Sequence, residues 1–251
     1  MESPNRQVKL LGMWTNNIWK GMGMKLDITN FFEEFHACAE LAKRIPYRVK
    51  GVFPSELLAF CTLAKKCEVG RIYESGMAMG YSTEVLAATL NVPVITCDLA
   101  GYGPIRYWGT RIRLAKYRRI SVHRGNSKKL LPELIGAKGQ REVIGLIIDG
   151  PKDQAAIQLA TSLVKQFRNI KVIAIHDVGG GRCTGFREML QHLGWSGFVA
   201  DEDWFRESAH AIDTEIIEQS GKSIALKKYP YGPGLGIGWP ESFADRFQSS
   251  T

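Results

Sequence analysis

Four side chains with useful chemistry stand where short apolar runs of this chain end. Asp98, Asp149, His176 and Asp177 each follow such a run, as expected for residues at the end of a β-strand. The carboxylate of Asp98 can accept hydrogen bonds from both hydroxyls of a ribose. Asp149, His176 and Asp177 are competent ligands for a borderline or hard divalent ion. Alternatively, His176 is a general base, because an imidazole titrates near neutral pH.

A glycine-containing turn lies ahead of these residues. The pattern of residues 70–98 predicts an apolar strand, a turn with Gly76 and Gly80, a helix, and a second strand that ends at Asp98. Such a βαβ unit is typical of nucleotide-type cofactor sites, because glycines let the backbone pass close under a ligand and the helix offers unpaired N–H groups. Glycines at such positions are also common where only a tight turn is needed. This pattern alone therefore does not identify a cofactor site.

The remaining elements repeat this plan. Apolar runs at 120–123, 143–148 and 170–175 alternate with amphipathic helical patterns, which predicts a parallel sheet built from βαβ units. Right-handed crossovers bring the carboxyl ends of parallel strands to one edge, so we expect the polar residues that follow them to meet there. Near the C-terminus, residues 223–229 and 234–239 are predicted to form two strands joined by a turn.

The glycine turn resembles a motif of a known enzyme family. It consists of an acid, two glycines and the residues that open the helix: Glu74, Gly76, Gly80, Tyr81 and Ser82. This arrangement is similar to the first motif of class I S-adenosylmethionine-dependent methyltransferases, and most similar to the catechol-type O-methyltransferase branch. Ala78 replaces the central glycine of the wider class.

The resemblance implies an α/β, Rossmann-like methyltransferase fold. This fold has a mostly parallel seven-stranded sheet, helices on both faces and a C-terminal antiparallel hairpin. S-adenosylmethionine is the implied cofactor. The residues assigned to it are Glu74, Gly76, Met77, Gly80, Ser82, Asp98, Ser127 and Asp149.

The segment Asp149-Gly-Pro-Lys152 resembles the fourth-strand motif of the same branch. There, the aspartate binds a divalent cation and the lysine takes the proton from the acceptor hydroxyl. The resemblance therefore implies a magnesium or manganese ion and a catalytic Lys152. The fifth strand departs from the branch, since His176-Asp177 stands where an Asp-Asn pair is expected. A metal site of Asp149, His176 and Asp177 and a catalytic base at His176 both remain open.

The function implied is methyl transfer from S-adenosylmethionine to a hydroxyl of a small molecule, an activity of EC class 2.1.1. Two alternatives remain. An RNA or protein methyltransferase would use the basic stretch 106–129, and steep salt dependence of nucleic-acid binding would reveal it. A non-catalytic protein of the same fold would bind the cofactor without transferring its methyl group.

Length and composition favour one large domain. The 251 residues have an ordinary apolar fraction, and we predict an N-terminal helical extension or cap (1–53) followed by one compact methyltransferase unit (54–251). Residues 1–26, rich in Trp and Met, have no clear period and could be a lid, an exchanged arm or a packed extension. The five cysteines are odd in number and lack metal-binding spacing, so we expect reduced thiols.

Charge and hydropathy bear on location and partners. No apolar run approaches the length of a membrane span and the first residues lack a signal-peptide core, so we expect a cytoplasmic protein without a membrane partner.

The net charge is +8, and no acid occurs from Leu99 to Pro132. Because cations there alternate with Ile112 and Leu114, we predict a helix with one docked face and one solvated face, not a nucleic-acid site. A homodimer is left open.

Overall fold

The computed structural model alternates helices and strands as the sequence predicts. It describes residues 28–49, 51–137, 141–179, 185–200, 202–228 and 234–243. The predicted lid or arm at 1–26, the turn at 230–233 and Cys183 lie outside these ranges. The helices are α1 (Ile28–Ala42), α2 (Pro54–Lys66), α3 (Tyr81–Leu90), α4 (Pro104–Leu114), α5 (Ser127–Ala137), α6 (Gln154–Gln166), α7 (Phe186–Leu193), α8 (Asp203–Gln219) and α9 (Ile224–Lys228). The strands are β1 (Arg71–Ser75), β2 (Val94–Asp98), β3 (Ile120–Arg124), β4 (Ile144–Ile148), β5 (Ile170–His176), β6 (Trp195–Val199) and β7 (Leu235–Pro240).

The seven strands form one sheet in the order β3-β2-β1-β4-β5-β7-β6. The first five are parallel, and β7 runs antiparallel to both β5 and β6. The predicted fold class is therefore confirmed. The chain order reverses between β1 and β4, and crevices at such a switch point are where ligands bind in open α/β sheets.

Helices cover both faces of the sheet. On one face, α1, α2, α3 and α8 enclose a cluster that includes Phe31, Phe35, Phe205 and Trp239. On the other face, α5, α6 and α7 cover β1, β4 and β5. The described part of the predicted extension packs into the first cluster, while the domain boundary at residue 53 stays a prediction. Within the described ranges, a search for an apolar helix of membrane-spanning length finds none.

One strand prediction near the C-terminus is wrong. Residues 223–229 were expected to pair with 234–239, but Ile224–Lys228 is a helix. The antiparallel partner of β7 is instead β6, Trp195–Val199. Alternation misled here because Ile224 is exposed, and Ala, Leu and Lys favour a helix at an exposed site. Gly197 in the middle of β6 lies against the β7 backbone and weakens the apolar pattern that would have marked a strand.

A buried acid joins α8 to the start of α2. Asp213 accepts hydrogen bonds from the backbone N–H of Ser55 (2.8 Å) and from its hydroxyl (2.6 Å). Burial, aided by the nearby charge of Glu56, raises the pKa of Asp213 to about 7 despite the bonds from Ser55. The folded state therefore keeps a proton that the unfolded chain loses near pH 4.

This proton makes stability depend on pH. The stabilisation is complete below the unfolded pKa and is lost as the pH rises through the folded pKa, so the free energy of unfolding should fall between about pH 4 and pH 7, by up to about 1.4 kcal/mol per pH unit. Asp213→Asn cannot ionise and should show a weaker decline in urea denaturation at pH 5, 6, 7 and 8. Asp203→Asn, exposed on the same helix, is the control. Equal pH dependence in wild type and Asp213→Asn would contradict this assignment.

Candidate active site at the carboxyl edge of the sheet

A cleft of about 420 Å³ opens where β1, β2, β3 and β4 end. It brings together five of the residues assigned from the sequence: Gly76, Asp98, Ser127, Asp149 and Lys152. The other lining residues include Ala78, Leu99, Tyr102, Asn126 and Pro151. Glu74, Met77, Gly80 and Ser82 were also assigned to the cofactor, but they do not line this cleft. His176 and Asp177 lie beside it, at the end of β5.

Glu74 supports the turn from within the protein. Its carboxylate is buried and accepts hydrogen bonds from the hydroxyls of Ser82 and Thr83, in the first turn of α3. Burial raises the pKa of Glu74, and the bonds from the two hydroxyls oppose that rise. Met77 is likewise buried, against Tyr107 of α4. These residues therefore hold the start of α3 and the turn before it in place.

Neighbouring protein requires glycine at both positions of the turn. Gly76 has φ +92°, and a Cβ there would lie 2.9 Å from the carbonyl carbon of Asp149. Gly80 has φ +72°, and a Cβ there would lie 2.8 Å from Cγ2 of Thr110 on α4. Glycine at both positions therefore lets the turn pack against the β4 loop and α4, and the assignment of these residues to the cofactor stays a prediction.

Asp98 links the ends of β1 and β2. One carboxylate oxygen accepts the N–H of Ala78 at 3.0 Å, and the other accepts the N–H of Ala100 at 2.5 Å. A carboxylate offers about four acceptor sites, so two remain for a ligand in the cleft. Ala78 has φ +47°, a conformation that costs a non-glycine residue free energy and that the usual glycine would adopt easily.

Ser127 connects the β3 and β4 loops. Its hydroxyl donates to the carbonyl of Gly150 at 3.1 Å. A serine at the start of a helix could instead act as the N-cap, but the side chain of Asn126 fills that role by accepting the N–H of Lys128 at 3.0 Å. Ser127 therefore stands at the wall of the cleft as part of a link between two loops.

Four charged groups meet at the ends of β4 and β5. Nδ1 of His176 lies 2.6 Å from Oδ1 of Asp149, and Nζ of Lys152 lies 2.7 Å from Oδ2 of Asp177. Lys152 also pairs with Asp149, so its ammonium group bridges the two carboxylates. Asp177 adopts φ +62°, an uncommon conformation that directs the backbone away from β5.

The opposite charges in this cluster stabilise one another's ionised forms. Burial alone would lower the pKa of His176, but Asp149 and then Glu56 raise it to about 10. Burial would also lower the pKa of Lys152, yet Asp149 and Asp177 raise it. For Asp149, His176 and Lys152 outweigh the effect of burial and lower the pKa. Lys152 and His176 thus both hold their protons at neutral pH, and neither is ready to act as a base in this arrangement.

Solved structures share this architecture. No protein-family model matches the sequence, and no curated protein matches it. The O-methyltransferase from Bacillus cereus, in complex with SAH, is 16% identical; 85% of this chain and 91% of that chain align, with a TM-score of 0.53. The O-methyltransferase TomG from Streptomyces achromogenes, involved in tomaymycin synthesis and in complex with SAM, is 15% identical, with 83% and 89% aligned and a TM-score of 0.51. The chain has the fold of these O-methyltransferases.

The divalent ion implied by the sequence resemblance can be compared with the donors present. Asp149, His176 and Asp177 each offer one atom, and these atoms all lie within 4.8 Å of one another. Two carboxylates and an imidazole suit magnesium or manganese in donor type. The Lys152 ammonium group pairs with both carboxylates, so an ion held by these residues would compete with it. The donors fit a metal in type once His176 loses its proton, because an imidazolium has no lone pair to offer.

Glu56 is a buried residue of this site that the sequence analysis missed. It lies in the first turn of α2 and accepts N–H bonds from Phe53 (2.9 Å) and Gly234 (2.8 Å). Its Oε2 also lies 3.7 Å from Nε2 of His176. A glutamate just after Pro54 indicates a bond to the backbone at the helix start, which is observed. The contact with His176 follows only from the packing of α2 against β5 in the methyltransferase fold.

Proposed function

We propose that the protein is an S-adenosylmethionine-dependent O-methyltransferase that acts on a hydroxyl of a small molecule. One observation carries the proposal: a single cleft at the switch point joins the Asp98 carboxylate at one end to the charged pair Asp149 and Lys152 at the other. A ribose and a reacting hydroxyl need groups of these two kinds. The Bacillus cereus and Streptomyces achromogenes enzymes, which bind SAH and SAM, support the choice of cofactor.

The cofactor is assigned to the β1, β2 and β3 end of the cleft. The two spare acceptor sites of Asp98 would receive the ribose hydroxyls. The turn at Ser127 would bound the adenine ring, and the segment 76–78 would lie under the methionine portion. S-adenosylmethionine supplies an activated methyl group on its sulfonium. The protein's own task is to hold the acceptor oxygen in line with that methyl group.

The acceptor is assigned to the β4 and β5 end. Lys152 lines the cleft with about half of its side chain exposed, so it can reach a bound hydroxyl. As an ammonium group it orients the acceptor oxygen by donating a hydrogen bond to it, and it stabilises the negative charge that forms on this oxygen when the hydroxyl loses its proton to water in the open cleft. The base role implied by the sequence resemblance requires Lys152 to lose its proton, which the neighbouring carboxylates oppose. His176 positions Asp149, and Glu56 lies close to the far side of the imidazole ring.

The proposal is tested by binding and then by turnover. Calorimetry should show binding of S-adenosylhomocysteine and no binding of NAD, the rival cofactor of similar βαβ sites. Labelled S-adenosylmethionine should then transfer its methyl group to one of a panel of phenols, catechols and sugars, with and without Mg²⁺ or Mn²⁺. Binding of NAD alone would contradict the cofactor. Binding of S-adenosylhomocysteine with no transfer to any hydroxyl would favour the non-catalytic alternative.

Two further expectations stay predictions. A cytoplasmic location can be tested by fractionation of cells that produce the protein. A homodimer can be tested by sedimentation velocity of the full chain. Neither is needed for the proposed chemistry, because all the residues assigned to the cleft come from one chain.

A further inference from the structure

Exposed apolar side chains are concentrated in one segment. Seven large apolar side chains are exposed among the described residues, and five of them fall between residues 99 and 112. The most exposed are Ile105 (87%), Ile112 (73%) and Leu99 (67%), and Trp108 is 46% exposed. Single exposed apolar residues are normal on a protein surface, but a contiguous group marks an interaction site.

Helical spacing places three of these residues on one side of α4. Ile105, Trp108 and Ile112 are three and four residues apart, so they project from the same face. The opposite face is docked, since Tyr107 and Leu114 are buried beside β2 and β3. We call Ile105, Trp108 and Ile112 the α4 outer face. The predicted docked face of α4 is thus present, with Leu114 on it. Ile112 lies on the exposed face instead, and that face carries an apolar stripe.

Cations surround the α4 outer face. Arg106 and Arg111 flank the apolar stripe on α4, and the guanidinium group of Arg111 lies 5.0 Å from the centre of the Trp108 ring. Arg113 differs, since it turns inward and pairs with the buried Glu84 at 2.7 Å. Eight cations between residues 106 and 129 are exposed: Arg106, Arg111, Lys116, Arg118, Arg119, Arg124, Lys128 and Lys129. The segment from Leu99 to Pro132 contains no acid, so no carboxylate of the segment itself offsets these cations.

We propose that the α4 outer face docks on the surface of an anionic lipid bilayer. Aliphatic side chains and a tryptophan would enter the boundary between headgroups and acyl chains, as in amphipathic helices that lie in a membrane interface. The surrounding arginines and lysines would meet lipid phosphates, which a guanidinium group binds in a bidentate manner. A bilayer also accepts an exposed helix face without a matching groove. This revises the expectation of no membrane partner, which considered only a spanning segment.

Charge and shape argue against a second copy of the chain, nucleic acid or an acidic protein as the partner of the α4 outer face. A second copy joined symmetrically through this face would bring two sets of cations together, which costs free energy. Nucleic acid would be attracted to the cations, but Ile105 and Ile112 offer no ring for a base to stack on. Trp108 has a ring, and the guanidinium group of Arg111 lies against it. An acidic protein would need an apolar groove that fits α4. A second copy and nucleic acid would each give a result that differs from binding to vesicles.

Vesicle sedimentation with the full chain tests the proposal. The protein should sediment with vesicles that contain phosphatidylglycerol and remain in solution with vesicles of phosphatidylcholine alone. Raising the salt concentration from 50 to 500 mM should weaken binding, since part of it is electrostatic. The double variant Ile105→Ser, Ile112→Ser should bind at least about tenfold more weakly, because it loses most of the inserted apolar area. Ile224→Ser is the matched control: Ile224 is 73% exposed, as Ile112 is, but lies on α9.

Several results would overturn the proposal. No sedimentation with anionic vesicles at low salt would exclude the bilayer as partner. Equal binding by the double variant and by Ile224→Ser would place the contact elsewhere on the protein. Self-association of the wild type in sedimentation velocity, lost in the double variant, would show that a second copy covers this face. Binding of single-stranded RNA that the double variant loses, without binding of vesicles, would assign the face to nucleic acid.

Discussion

Replacing Lys152 with alanine is expected to slow methyl transfer by about 10²-fold or more while the affinity for S-adenosylmethionine changes little. Lys152 lies at the β4 end of the cleft, where its ammonium group joins Asp149 to Asp177. Asp98 and Ser127 line the other end, to which the ribose and adenine are assigned in our proposal. The loss should therefore appear in kcat, measured by single-turnover methyl transfer, and not in the dissociation constant measured by calorimetry.

Lys152→Arg is the matched control for this prediction. Arginine retains the positive charge but cannot accept a proton at accessible pH. Because Lys152 is assigned as a cation that orients the acceptor, Lys152→Arg should keep much of the wild-type rate. A Lys152→Arg variant as slow as Lys152→Ala, together with a wild-type rate that rises with pH, would contradict this and assign Lys152 as the base. Full activity of Lys152→Ala would remove Lys152 from the reaction altogether.

The same variants separate the metal from the lysine. If the two compete for Asp149 and Asp177, Lys152→Ala should bind Mn²⁺ more tightly than the wild type does, as measured by electron paramagnetic resonance without substrate. Asp149→Asn, in either background, should lose that binding, because it removes a charged ligand. Equal Mn²⁺ binding in wild type and Lys152→Ala would show that the lysine does not compete with an ion.

Asp98→Ala is expected to weaken the binding of S-adenosylmethionine by about 1 to 3 kcal/mol, the range for hydrogen bonds to a charged group. The carboxylate has two acceptor sites left after its bonds to Ala78 and Ala100. Calorimetry with S-adenosylhomocysteine measures the effect. Unchanged affinity would contradict the ribose assignment.

The bonds of Asp98 to the backbone require a control for stability. Asp98→Ala also removes the link between the ends of β1 and β2, so thermal unfolding of the variant without ligand should be measured in parallel. Asp98→Asn keeps one acceptor for that link but has no charge and fewer acceptor sites. We expect its affinity to lie between those of the wild type and Asp98→Ala. A loss of affinity that only follows a loss of folded protein would reduce Asp98 to a structural residue.

The sequence by itself determined which polar residues gather at the carboxyl edge of the sheet. Short apolar runs and the polar residues that end them are local patterns, and the rule for parallel crossovers is general. Asp98, Ser127, Asp149 and Lys152 were therefore expected at one edge before any contact was known, and the structure places them around one cleft. The mostly parallel, seven-stranded sheet also followed from the methyltransferase resemblance.

Only the tertiary structure decided how this edge is held and charged. Glu56 contacts Gly234, which is 178 residues away, and no local pattern records a pairing at that distance. The two glycines of the turn make room for the β4 loop and α4, which are also remote in sequence. The raised pKa of Lys152 likewise depends on Asp177, since burial and neighbouring charges together set a protonation state. The periodicity of a sequence shows which residues share a face of a helix or strand. Which of those faces is buried depends on the neighbouring elements, as the exposed Ile112 and the buried Leu114 of α4 show.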